Sequence, residues 1–73
     1  MNAHRVKFYA ANRTATREVD TCTIWVDANG EHHAVAEATM LAMAGTGNAD
    51  AEKIGEWLRA GMVISVYAVI ETN

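Results

Sequence analysis

From His4 to Ala11 apolar and polar positions alternate, with Val6, Phe8 and Ala10 on one side and Arg5, Lys7 and Tyr9 on the other. A period of two is that of a half-buried strand. The polar stretch from Asn12 to Glu18 reads as a hairpin loop or frayed strand ends. Val19 to Val26 alternates again: Cys22, Ile24 and Val26 share one face, and Val19, Thr21, Thr23 and Trp25 the other. Short spacing makes the two strands an antiparallel hairpin. The closing stretch, Met62 to Glu71, is different, because both of its faces are apolar. Met62, Ile64, Val66, Ala68 and Ile70 fall on one side, and Val63, Tyr67 and Val69 on the other. A strand of this kind asks for cover on both faces.

Between the strands the period changes. Asp27 to Gly30 is a turn by composition. Two continuations compete after it: a third short strand over Glu31 to Val35, or a helix capped by Asp27 or Asn29. The helix is preferred, since the segment from Ala34 to Ala44 is made of Ala, Met, Leu and Glu, which favour helix. At about 100° per residue, Ala34, Val35, Ala38, Leu41 and Ala42 form one face, while Ala36, Met40 and Met43 gather nearly opposite. Gly45 is placed to end this helix in a left-handed turn. Asn48 or Asp50 then caps a second helix running to about Ala60. Its Ala51, Ile54, Trp57 and Leu58 face inward, and Glu52, Lys53, Glu56 and Arg59 face water, with Glu56 and Arg59 spaced to pair. Gly61 stops it. The expectation is one α+β domain over residues 1–73, with strands and helices in the order β-β-α-α-β. Its three-stranded, mainly antiparallel sheet has helices on one face. The direction of the last strand depends on whether the helices form a broken crossover or a hairpin.

Size sharpens the question of the uncovered face. A chain of 73 residues buries only about 60% of the surface its unfolded form exposes. Cys22 is the only cysteine, so no intramolecular disulfide can help. Association with another chain is a common remedy. A hydrophobic fraction of 51% with no proline argues against disorder. The lone cysteine and the lack of a leader-like apolar run point to a cytoplasmic protein. The longest apolar run falls far short of the ~20 residues of a membrane helix, so no membrane partner is expected. Net charge is −3, but residues 1–17 hold four bases and no acid, and the remainder holds nine acids against two bases. Such asymmetry steers association with a charged partner.

Candidate chemistry is sparse. His32 and His33 with Glu31 and Glu37 are the nearest approach to a metal set, but adjacent helical histidines diverge, and zinc needs three or four ligands. Gly45-Thr-Gly47 follows a helix rather than a strand and lacks the rest of a dinucleotide or phosphate fingerprint. Cys22 sits among apolar neighbours without an activating base and reads as a small buried hydrophobe. No catalytic residue, metal site or cofactor is assigned, and enzyme activity is not expected. Arg13 and Arg17, with Thr14 and Thr16, could meet phosphate from a loop. The acidic balance of the whole opposes a large phosphate contribution, so nucleic acid is not the expected partner.

If the helices cover one side of the sheet, the other shows Tyr9, Trp25, Val63, Tyr67 and Val69, bordered by Arg5 and Lys7. Exposed apolar patches mark interfaces, and Tyr, Trp and Arg dominate binding hot spots. Charged contact candidates are Arg13 and Arg17 in the loop, and Asp50, Glu52 and Glu56 on the second helix. A resemblance adds to this. The basic first strand, the loop Asn-Arg-Thr-Ala-Thr-Arg, the strand Thr-Cys-Thr-Ile-Trp-Val, the Ala-rich helix, Gly-Glu-Trp-Leu-Arg-Ala-Gly and the closing Val/Ile strand together resemble small accessory proteins of phages and prophages. Several anti-CRISPR proteins are similar in size and plan. The resemblance covers most of the chain as an architecture and transfers no residue roles. It implies a non-catalytic inhibitor that binds a host defence complex. The expected function is therefore a protein-binding module, with self-association as a homodimer. The alternatives are a homo-oligomer holding a small ligand between aromatic sheet faces, and an accessory protein that contacts nucleic acid.

Overall fold

The computed structural model describes residues 3–27, 31–45 and 47–72. The first alternating segment forms β1 (Ala3–Ala11) and the second β2 (Glu18–Asp27). The Ala-rich stretch is helical from its start as α1 (Glu31–Met43), which decides against a third short strand. α2 (Ala49–Arg59) and β3 (Val63–Thr72) complete the chain. All strand pairs are antiparallel and the sheet order is β2-β1-β3. The helices form a hairpin that returns the chain to the free side of β1.

This order moves the centre of the molecule. The doubly apolar terminal strand lies at an edge with no fully buried residue, whereas β1, flanked on both sides, buries Val6, Phe8 and Ala10 to 1%, 0% and 0% exposure. The core joins these to Ile24, Val26, Ala34, Ala38, Ala51, Ile54 and Trp57. Val35, Leu41 and Ala42 of α1 pack against it, as do Met62, Ile64 and Val66. Small residues on α1 let it lie close to its neighbours. At Gly55 of α2, an added Cβ would stand 3.8 Å from the Ala42 Cβ of α1.

The caps are explicit in the sequence. Asn48 accepts at its Oδ1 from the backbone N–H groups of Asp50 (2.9 Å) and Ala51 (3.3 Å), so Asn48 and not Asp50 caps α2. At the other end Gly61 has φ +73°, its N–H donates to Leu58 and that of Met62 donates to Trp57. That pairing is a left-handed helix stop, and it needs a residue without a Cβ penalty. Gly45, after the end of α1, is likewise left-handed, at φ +63°. The Asn29 cap proposed for α1 lies outside the described residues, as do the side chains of Glu31 and His32.

Two expectations about α2 change. Leu58 lies on the inward arc but in the last turn, and it is 38% exposed, while Gly55 is buried instead. A helical wheel says nothing of where along its axis a helix runs out of neighbours. Arg59 does not pair with Glu56: its guanidinium turns back over Gly55, 3.4 Å from where a Cβ would be.

The β1–β2 connection is an ordered loop rather than a pair of frayed ends. Asn12 Oδ1 accepts from the N–H groups of Thr16 (2.8 Å) and Arg17 (2.9 Å), and its Nδ2 donates to Thr14 and Thr16. Ala15 takes φ +56°. A left-handed backbone costs an alanine roughly 1–2 kcal/mol that glycine does not suffer. Ala15→Gly is therefore expected to stabilise the fold by about 0.5–1 kcal/mol, read as a higher urea midpoint at unchanged slope. A lower midpoint would show that the loop does not hold this conformation.

Candidate functional site

The face of the sheet away from the helices is built on the odd-numbered residues of β1. Arg5 stands across from Trp25, Lys7 from Thr23 and Tyr9 from Thr21 on one side, and Tyr9 from Ser65 on the other. Directly opposed residues of an antiparallel pair share a face. The hydrophobic pattern therefore places Tyr9, Trp25 and Val63 (opposite Ala11) on the open face, as expected.

β3 breaks the simple alternation. Lys7 pairs with Ala68 but Phe8 with Val66, so Tyr67 is an extra residue; Arg5 pairs with Glu71 but Val6 with Val69, so Ile70 is another. Each bulge shifts the phase of the pleat by one. Tyr67 stays on the open face. Val69 does not: it stands opposite the buried Val6 on the helix side, near the end of the strand, and is 45% exposed. Ala68 and Ile70, expected on the helix side, fall opposite Lys7 and next to the Arg5–Glu71 pair.

Three side chains converge on the open face. The rings of Tyr9 and Tyr67 meet edge to face with centroids 5.5 Å apart, and the Lys7 ammonium lies 4.8 Å from the Tyr67 ring centroid. An exposed contact of the second kind contributes roughly 0.5–1 kcal/mol. Trp25 is not in this group. It lies on β2, on the other side of the basic row formed by Arg5 and Lys7. The face is thus two aromatic sites, Trp25 (42% exposed) and Tyr67 (56% exposed), separated by two bases. Nε of Arg5 is buried without a hydrogen-bond partner. Glu18 borders a shallow depression that Tyr9, Val66 and Tyr67 line.

The charged candidates do not join this surface as one site. Arg13 and Arg17 are exposed on the β1–β2 loop. Asp50, Glu52 and Glu56 are exposed on α2, which lies on the opposite side of the sheet. Cys22, half-buried opposite Phe8, has its thiol pushed up to about 11 by burial, so it stays protonated at neutral pH. Among the described residues no three His, Cys, Asp or Glu side chains come together as metal ligands. A small cleft of about 120 Å³ lies where α1 meets α2, lined by Leu41, Ala42, Gly45, Gly47, Asn48, Ala51 and Glu52. Among the described residues no helix is long and apolar enough to cross a membrane.

One polar link escaped sequence reasoning. Asp20 Oδ2 accepts from Trp57 Nε1 and meets Lys53 Nζ, both at 3.2 Å, tying the start of β2 to α2. Lys53 was expected to face water. The available signal was parity: Asp20 falls on the inward side of β2, and Lys53 and Trp57 are four apart on one helix face. The Trp57 hydrogen bond, with help from Lys53 and the Thr21 N–H, holds the Asp20 carboxyl below its ordinary pKa. A depressed carboxyl contributes stability above its unfolded value of about 3.9, and that contribution is lost as pH falls through the folded value. Asp20→Asn keeps the acceptor and removes the charge. It is expected to flatten the acid limb of a thermal stability profile below about pH 4. Parallel profiles for the two proteins in that range would refute the link.

No family model matches the chain, and no curated protein or solved structure does.

Proposed function

We propose that the chain is a non-catalytic protein-binding module that engages its partner through the open face of the sheet. The observation that carries this reading is the exposed Tyr67–Tyr9–Lys7 cluster facing Trp25 across a row of bases, on a face that the described residues leave uncovered. Tyr, Trp and Arg are the residues enriched in binding hot spots, where they fill well-packed, desolvated pockets. Arg5 adds to it. A buried donor without a partner costs about 1–3 kcal/mol, and a partner acceptor that draws the Arg5 side chain toward it recovers part of that. The resemblance to phage accessory proteins supports a more specific form of the reading, an inhibitor of a host defence complex of the anti-CRISPR kind acting in the cytoplasm.

The test is affinity capture from lysate of the native host with the wild-type chain and with Trp25→Ala/Tyr67→Ala. Both side chains are exposed, so the variant folds. Proteins retained by the wild type and lost with the variant support the reading; an identical retained set sinks it. Light scattering on the same samples reports self-association, and a dimer dissociated by the double substitution would make a second copy the partner. The bases Arg5 and Lys7 between aromatics favour one other reading, contact with single-stranded nucleic acid. Salt-sensitive retention on a DNA column, abolished by Lys7→Ala, would replace the protein reading with that one.

A further inference from the structure

An open sheet has two edges, and here they are built differently. The β3 edge is interrupted by extra residues at Tyr67 and Ile70, so its ladder changes phase twice within a few residues. Bulges of this kind blunt an edge against a further strand. β2 has a single extra residue, Val19, near its start, and from Asp20 to Asp27 each residue pairs one for one with β1, from Ala10 back to Ala3. Between those aspartates run Thr21, Cys22, Thr23, Ile24, Trp25 and Val26, with no lysine, proline or bulge. β-branched and aromatic residues of this sort favour strand pairing. The N–H and C=O groups on the side of β2 away from β1 form a ready template.

The charges of β2 select what can use it. Its acids are Glu18, Asp20 and Asp27, and it holds no base. Antiparallel pairing of β2 with β2 of a second copy sets the Glu18–Asp20 end against Asp27 of the other chain, and like charges in that position are destabilising. Asp20 is already held by Lys53 and Trp57. Glu18 and Asp27 are exposed and make no ion pair among the described residues. They pair with Ala11 and Ala3 at the two ends of β1, and at ~3.4 Å per residue stand roughly 27 Å apart. We propose that the free edge of β2 accepts an extended segment of a partner protein, about nine residues long, with a basic residue toward each end. Main-chain hydrogen bonds hold the segment, and its end charges meet Glu18 and Asp27. The site lies along the outer edge of β2 rather than on the open face, although its Glu18 end also borders the depression lined by Tyr67.

The probe is a dye-labelled peptide, Lys-Thr-Val-Thr-Val-Thr-Val-Thr-Lys, compared at low salt with the same peptide ending in glutamates, by fluorescence anisotropy. The lysine-ended peptide is expected to bind saturably and about tenfold more tightly than the glutamate-ended one. Glu18→Lys/Asp27→Lys, at exposed positions and checked for folding by circular dichroism, is expected to reverse that order. Ile70→Ala, on the opposite edge strand beside the Arg5–Glu71 pair, is expected to leave both affinities unchanged, which separates this test from that of the open face. Absence of saturable binding, equal affinity for the two peptides, an order unchanged by the charge reversal, or loss of binding in Ile70→Ala would each overturn the proposal.

Discussion

Replacing Phe8 by alanine is expected to remove a large part of the chain's stability. Phe8 is fully buried on the central strand, opposite Cys22 on β2 and Val66 on β3. Both helices and both outer strands lean on the layer it occupies. Truncating a buried phenylalanine costs about 3–5 kcal/mol, from lost transfer energy and the cavity left behind. A domain of 73 residues has a total stability of about 4–11 kcal/mol, so the loss takes most of the lower end of that range. Phe8→Leu is expected to cost no more than about 1.5 kcal/mol. Val69→Ala, at a position 45% exposed on the edge strand, is expected to cost less than about 1 kcal/mol. Urea unfolding followed by circular dichroism ranks the three. A Val69→Ala loss equal to that of Phe8→Ala would place the centre of the core on β3 instead of β1.

Trp57→Ala is expected to be the other severe substitution, at about 3–5 kcal/mol. Trp57 is 3% exposed; its ring joins α2 to the core, and its Nε1 joins α2 to Asp20. Its two roles separate by chemistry. Trp57→Phe keeps most of the ring volume and removes only the donor to Asp20. Because Asp20 is partly exposed, water replaces the lost donor, and only a small fraction of the alanine loss is expected. The phenylalanine variant is also expected to raise the Asp20 pKa toward its ordinary value, since that hydrogen bond is the largest cause of its depression. Carboxyl titration followed by NMR reads this directly. An unchanged Asp20 titration in Trp57→Phe would show that the bond does not form in solution.

Much of the fold was legible because local signals agree with one another. Alternation in residues 4–11 and 19–26, an Ala-rich helix ended by Gly45, an Asn48 cap and the Gly61 stop each follow from backbone and side-chain chemistry within a few residues. The inward set of α1 was also readable, since Ala34 and Ala38 are buried where the wheel places them. The open face was read less well. Tyr9, Trp25 and Tyr67 lie on it, but Val69 does not, and Trp25 is a strand away from the tyrosines. Alternation assumes an unbroken pleat, and bulges at Tyr67 and Ile70 leave no mark in composition.

The sequence by itself determined the element order, the helix ends, the inward residues of β1 and β2 and the aromatic character of a second sheet face. These depend on period and on local backbone preference, which a chain carries before it folds. Tertiary structure alone decided that β1 and not β3 is central, that β3 runs antiparallel to β1, and that Asp20 joins Lys53 and Trp57. The physical reason is that strand order, register and long-range polar pairs are set by which surfaces compete for burial. The doubly apolar β3 signalled a need for cover, and the fold met it on one side only, leaving the other beside Lys7 and Tyr9.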